Sequence, residues 1–158
     1  MLKKLMQSRP ALRLAVAESI TGGNVQARVT AESGASNYFV GGVTAYTLEQ
    51  KIALLGVNRK AAAKCDSVSA EVARQMARGV CRLMKANIAV ATTGYAEPDP
   101  AKDVHSPRAH WAVCHVPKRG RAVFIDGYGE FSGADRATAQ ARVSDETIVA
   151  LAKYLESV

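Results

Sequence analysis

Apolar residues come in short bursts along this chain, separated by compact polar clusters. Leu12–Ala17 (LRLAVA) is a run of strand length that ends at the polar pair Glu18-Ser19. Thr21-Gly22-Gly23 then opens a helix that runs to about Glu32, with Val25 and Val29 at i, i+4 spacing. Ser33–Asn37 is turn chemistry. Tyr38–Tyr46 (YFVGGVTAY) is β-branched and aromatic around two glycines, the pattern of a strand with a bulge or a close backbone approach. Leu48–Leu55 predicts a short helix stopped by Gly56. The clearest helix is Ser69–Ala86. Ser69 caps it, Glu71 suits its first turn, and Val72, Met76, Val80 and Leu83 trace one apolar face.

Ile88–Thr92 (IAVAT) reads as a buried strand ended by Thr93-Gly94, and the proline-containing Ala96–Pro107 as a loop. His110–Val116 and Ala122–Tyr128 form two later strands around a Lys118-Arg119-Gly120 turn. Asp135–Leu155 closes the chain as a helix, with Ile148, Leu151, Ala152 and Leu155 on one face. Strands alternating with helices predict an α/β fold: one domain over residues 1–158, with a mixed, mostly parallel sheet and helical layers.

Composition narrows the class. The 158 residues are 48% hydrophobic and 22% charged, enough for one buried core. Lys3 and Lys4 precede an apolar stretch, as in a secretory leader, but Arg9, Pro10 and Arg13 interrupt it, and no run is long enough to span a bilayer. Cytoplasmic retention is expected. Cys65, Cys81 and Cys114 are odd in number and widely spaced, which argues against a disulfide framework. The net charge of +7 favours anionic partners, but the basic residues are dispersed and lack interleaved aromatics. A phosphorylated small molecule suits that balance as well as DNA does.

Three polar clusters follow apolar strands: Glu18-Ser19 with Thr21-Gly22-Gly23, Tyr46 with Lys51, and Thr92-Thr93-Gly94. In an open α/β sheet, ligands collect beyond the carboxyl ends of the strands, so these clusters converge if their strands are neighbours. Thr-Gly-Gly is neither a phosphate-binding Walker loop nor a dinucleotide fingerprint, and taken alone it reads first as a tight strand-to-helix turn. Ser19 is a candidate nucleophile that needs a base. The three histidines His105, His110 and His115 all lie late in the chain, and no G-x-S-x-G elbow supports a Ser-His triad. Lys51 is the better partner if desolvation lowers its pKa, with Tyr46 orienting the proton; the competing reading is a solvated helix lysine. His110 and His115 fall on opposite faces of an alternating strand, which disfavours a shared metal.

Ala17-Glu18-Ser19-Ile20-Thr21-Gly22-Gly23 resembles the A-E-S-C-T-G-G signature of the CinA (competence/damage-inducible) C-terminal domain, the nicotinamide mononucleotide deamidase family. The resemblance continues through Ser36–Phe39, Gly41-Gly42, Tyr46-Thr47, Lys51–Val57, Val68–Ala73, Met76-Ala77 and Thr93-Gly94. It implies hydrolysis of the carboxamide of nicotinamide mononucleotide to nicotinic acid mononucleotide and ammonia. Ser19 matches the nucleophile, Lys51 its base and Tyr46 a supporting catalytic residue. Thr21, Gly22, Gly23, Thr93, Gly94 and Arg136 match the substrate-binding set, Arg136 despite the inserted Ala134. The resemblance further implies no metal or redox cofactor, a small nucleotide as partner with neither nucleic acid nor membrane, a homo-oligomer, and no N-terminal nucleotide-binding-like domain. A paralogue that binds a nucleotide or a protein without turnover is the alternative. The family's glycine-rich loop is altered here: Thr93-Gly94-Tyr95-Ala96-Glu97-Pro98-Asp99-Pro100 carries Glu97 and Asp99, whose charges are expected to repel a substrate phosphate.

Overall fold

The computed structural model describes residues 1–158. Five strands form one sheet in the order β2-β1-β3-β4-β5, comprising β1 (Leu14–Glu18), β2 (Phe39–Thr44), β3 (Ile88–Tyr95), β4 (Arg108–His115) and β5 (Val123–Glu130). β1 pairs in parallel with both β2 and β3, while β3–β4 and β4–β5 are antiparallel. Six α-helices surround the sheet: α1 (Leu2–Gln7), α2 (Asn24–Thr30), α3 (Leu48–Leu55), α4 (Arg59–Ala63), α5 (Ala70–Met84) and α6 (Arg136–Glu156). None is long and apolar enough to cross a membrane.

Both faces of the sheet are covered, so its central strands alternate by size rather than by polarity. Leu14, Val16, Ile88, Val90 and Val113 project to one side, where they pack with Val25 of α2 and Leu151 and Leu155 of α6. Ala15, Ala17, Ala89, Ala91 and Ala112 project to the other, under Val72, Met76 and Val80 of α5. The alanine face leaves room for a closely seated helix. α5 adds small residues of its own, and a methyl group built on Gly79 would lie 2.1 Å from the Leu55 carbonyl oxygen. That contact pins α5 against the end of α3.

Local chemistry sets the helix ends. Thr47, Asn58, Ser69 and Asp135 each accept a backbone N–H three residues on, capping α3, α4, α5 and α6. Gly56 adopts φ 68° and ends α3 in the left-handed conformation. The glycine pair in β2 serves both expected purposes: the β1–β2 register shifts beside Gly41, and Gly42 lies against the Val16 carbonyl.

Several boundaries depart from the sequence expectations. β3 runs to Tyr95, because Thr93, Gly94 and Tyr95 pair with His110, Ala109 and Arg108 of β4. Gly94 permits this, since a Cβ there would sit 2.4 Å from the Arg108 carbonyl oxygen. α2 begins at Asn24, the preceding Thr21–Gly23 being a turn. Leu83 is 44% exposed; the buried face of α5 runs through Val72, Ala73, Met76, Ala77, Val80 and Cys81 instead. α4 has no strong sequence signal, as Ala62 alone of its residues is buried.

An exposed helical Gly→Ala change gains about 1 kcal/mol. Gly79→Ala is expected to do the opposite, losing about 1–3 kcal/mol through overpacking, measured as a lower urea midpoint. A gain would show that α5 is not pinned on α3.

Candidate functional site

The end of β1 divides its polar residues between the two faces. Ser19 follows Ala15 and Ala17 on the alanine side, whereas Glu18 follows Leu14 and Val16. The Glu18 carboxylate is fully buried. It accepts the N–H groups of Gly23 (3.0 Å), Val25 (3.1 Å) and Gln26 (2.9 Å), so it closes the start of α2. Thr21 donates its hydroxyl to the same carboxylate and meets Thr92 Oγ1 at 2.7 Å.

On the alanine side, Ser19, Tyr46, Lys51, Thr93 and Gly94 line one cleft of about 330 Å³. Lys51 sits on the second turn of α3 and is only 4% exposed, so it is not a solvated surface lysine. Its Nζ donates to the Tyr46 carbonyl at 3.3 Å. The Ser19 hydroxyl donates to that same carbonyl at 3.5 Å, a long bond. No direct hydrogen bond joins Ser19 to Lys51; the two converge on one oxygen. Burial pushes the Lys51 amine below the ordinary lysine pKa, with Asp66 opposing the shift. Thr93 Oγ1 donates to the Ser67 carbonyl at 2.6 Å, which fixes the cleft wall. Gly22 N–H turns back to the Ser19 carbonyl (3.2 Å) and Gly23 N–H goes to Glu18. The backbone N–H of Ile20, the residue after Ser19, has no acceptor within the chain.

The sequence pattern of the CinA C-terminal domain matches residues 2–155. The chain belongs to the CinA C-terminal domain family. A CinA-like protein of Picosynechococcus sp. is 37% identical over 147 residues, which are 91% of this chain and 34% of that protein. A CinA-like protein of Flavobacterium psychrophilum is 43% identical over 88 residues, 56% of this chain and 21% of that protein. The chain therefore spans about a fifth to a third of the length of these curated relatives. The crystal structure of a CinA superfamily protein from Klebsiella pneumoniae superposes with a TM-score of 0.86 at 25% identity, covering 99% of this chain and 94% of that one.

Within this CinA domain the structure separates the residues matched to substrate binding. Thr93 and Gly94 line the cleft. Thr21 does not reach it, because its hydroxyl is held between Glu18 and Thr92 on the other face. Gly22 and Gly23 shape the turn behind Ser19, with φ of 59° and 110°, and are not among the cleft-lining residues. Arg136, at the start of α6, lines an adjoining hollow with Tyr46 and Glu97.

The altered loop does not leave free negative charge. Glu97 forms an ion pair with Arg136, and Asp99 lies 3.9 Å from Lys102 Nζ. Glu97, and beside it the Tyr46 phenol, hold the Arg136 proton more tightly. The pair is half-exposed, so it is worth about 1 kcal/mol at most. The expected repulsion is corrected in its form: Glu97 acts first by occupying the arginine.

Sequence reasoning missed Asp66, Ser67 and Lys102. Asp66 and Ser67 adopt φ of 49° and 62°, which no glycine announced. The bend aims the Ser67 carbonyl at Thr93 and the Asp66 carboxylate at Tyr95 (2.9 Å) and Lys102 (2.6 Å). Lys102 and Tyr95 hold the Asp66 carboxyl below its usual pKa.

Glu18→Gln replaces an acceptor-only group that faces three N–H donors, and is expected to cost about 3 kcal/mol. Thr21→Val should cost about 1 kcal/mol or more. Urea unfolding reads both, and an unchanged midpoint in either would remove the structural assignment of this cluster.

Proposed function

We propose that this domain hydrolyses the carboxamide of nicotinamide mononucleotide by a Ser-Lys mechanism. The observation that carries the reading is the buried Lys51 amine sharing the Tyr46 carbonyl with the Ser19 hydroxyl. Desolvation disfavours the ammonium form and shifts Lys51 towards the neutral amine that a general base requires, with Asp66 opposing the shift. Ser19 Oγ attacks the amide carbon as its proton passes to Lys51. The tetrahedral oxyanion meets the free N–H of Ile20. Lys51 returns the proton to the departing nitrogen, and ammonia leaves. Water adds to the acyl-serine ester and releases nicotinic acid mononucleotide and Ser19, so one water is consumed for each ammonia. Tyr46 positions the pair through its carbonyl, while its exposed phenol reaches the Arg136 side.

The reaction needs no redox cofactor, and we assign it to a cytoplasmic homo-oligomer acting on a small nucleotide. One observation favours binding without turnover: Ser19 donates to a carbonyl rather than to Lys51. A bound amide that displaces this long contact frees the hydroxyl for Lys51.

Ser19→Ala and Lys51→Met are each expected to lower ammonia release from nicotinamide mononucleotide at least about a hundredfold, with the thermal midpoint retained. In the parent protein, the rate should fall as pH drops and Lys51 takes up a proton. Undiminished release in both variants would exclude the mechanism; no release from the parent would leave binding without turnover.

A further inference from the structure

Beyond the cleft lies a second, larger hollow of about 620 Å³. The two share Asp66, Val68, Tyr95 and Lys102, so they adjoin across a common wall. The sheet builds this hollow by register. Tyr95 is paired with Arg108, and His110 with Tyr128, so all four side chains belong to the face that carries Ser19 and Thr93. The His110 and Tyr128 ring centroids are 4.8 Å apart. The Arg108 guanidinium lies 5.7 Å from the Tyr95 ring centre, and Lys102 Nζ lies 5.8 Å from it.

The charges in this hollow are unbalanced. Lys64, Lys102 and Arg108 line it against a single carboxylate, Asp66, which already accepts from Lys102 and Tyr95. Of the acids on β5, Asp126 pairs with Arg74, while Glu130, opposite Arg108 in register, accepts the Tyr128 hydroxyl and is not among the residues lining the hollow. Neither Arg108 nor Lys64 has a carboxylate within ion-pair distance among the salt bridges of the chain. At the other end of the cleft no cation is left over, because Arg136 is already occupied by Glu97.

We infer that the phosphate of the ligand binds in this second hollow, against Arg108 and Lys64, and not at Arg136. The inference rests on the proposed reading of the cleft. The amide enters beside Ser19 and the ligand extends over the Tyr95–Lys102 wall, with its monoester dianion at the two unpaired cations. An arginine whose face lies against an aromatic ring keeps its N–H edge for phosphate oxygens. The Glu97–Arg136 pair blocks the competing anion position, so the departure of the loop and the excess of cations in the second hollow form one arrangement.

Calorimetric titration of Ser19→Ala protein, which holds ligand without turnover, tests this with nicotinamide mononucleotide and nicotinamide riboside. The mononucleotide is expected to bind more tightly. Arg108→Gln in that background should weaken the mononucleotide about tenfold and leave the riboside within about twofold. Lys64→Gln, on an exposed side chain, should act in the same direction by about threefold, and covers the case in which Arg108→Gln lowers stability. Arg119→Gln, the same loss of charge in the turn after β4, should change neither ligand. Equal affinities for the two ligands, no mononucleotide binding, or a loss carried by Arg136→Gln and absent from Arg108→Gln would each overturn the inference. Failure of the parent to release ammonia would reject the hydrolytic reading alone, since phosphate selectivity is measured without turnover.

Discussion

Lys51 carries its amine under the end of the sheet, to a place where the hydrogen bond it makes is to the Tyr46 carbonyl. Withdrawing an ammonium from water costs several kcal/mol even after the protein relaxes, and one neutral acceptor does not offset that. The side chain answers by holding its proton less tightly. The position survives because α3 is fixed at both ends, by the Thr47 cap and by the left-handed Gly56, and because α5 is seated against its last carbonyl. A lysine on a helix free to roll would turn to solvent. The packing of small residues on the alanine face therefore underlies the chemistry in the cleft.

The same alternation that builds the core sorts the functional groups. Odd-numbered residues of β1 and β3 lead to Ser19, Thr93 and Tyr95, and their even-numbered neighbours lead to Glu18 and Thr92. One face thus holds the candidate chemistry, while the other holds a buried carboxylate that secures α2. Polar residues adjacent in sequence do unrelated work because the strand sends them in opposite directions.

Much of this was legible in the sequence. Strand-length apolar runs and capped helices located most elements, and three polar clusters at strand ends pointed to the cleft. The large-small alternation in LAVA and IAVA was present but reads only as a buried strand until both faces are known to be covered. What could not be read was long-range or backbone-borne. Thr21 looks like a ligand-facing threonine until Thr92 is brought to it across 71 positions. Glu97 looks like free charge until α6 delivers Arg136. The bend at Asp66-Ser67 carries no glycine, and its conformation is held by the Ser67 N–H to the Ala62 carbonyl and by Thr93.

The central claim is that Lys51 is a buried amine of lowered basicity rather than an ordinary surface cation. Following the Lys51 side-chain resonance by NMR across an alkaline titration tests this most directly, with Lys51→Met supplying the assignment. The account predicts a midpoint below the ordinary lysine value of about 10.4. It also predicts a further fall in Asp66→Asn, because that carboxylate favours the charged form. A midpoint at or above the ordinary value would contradict it.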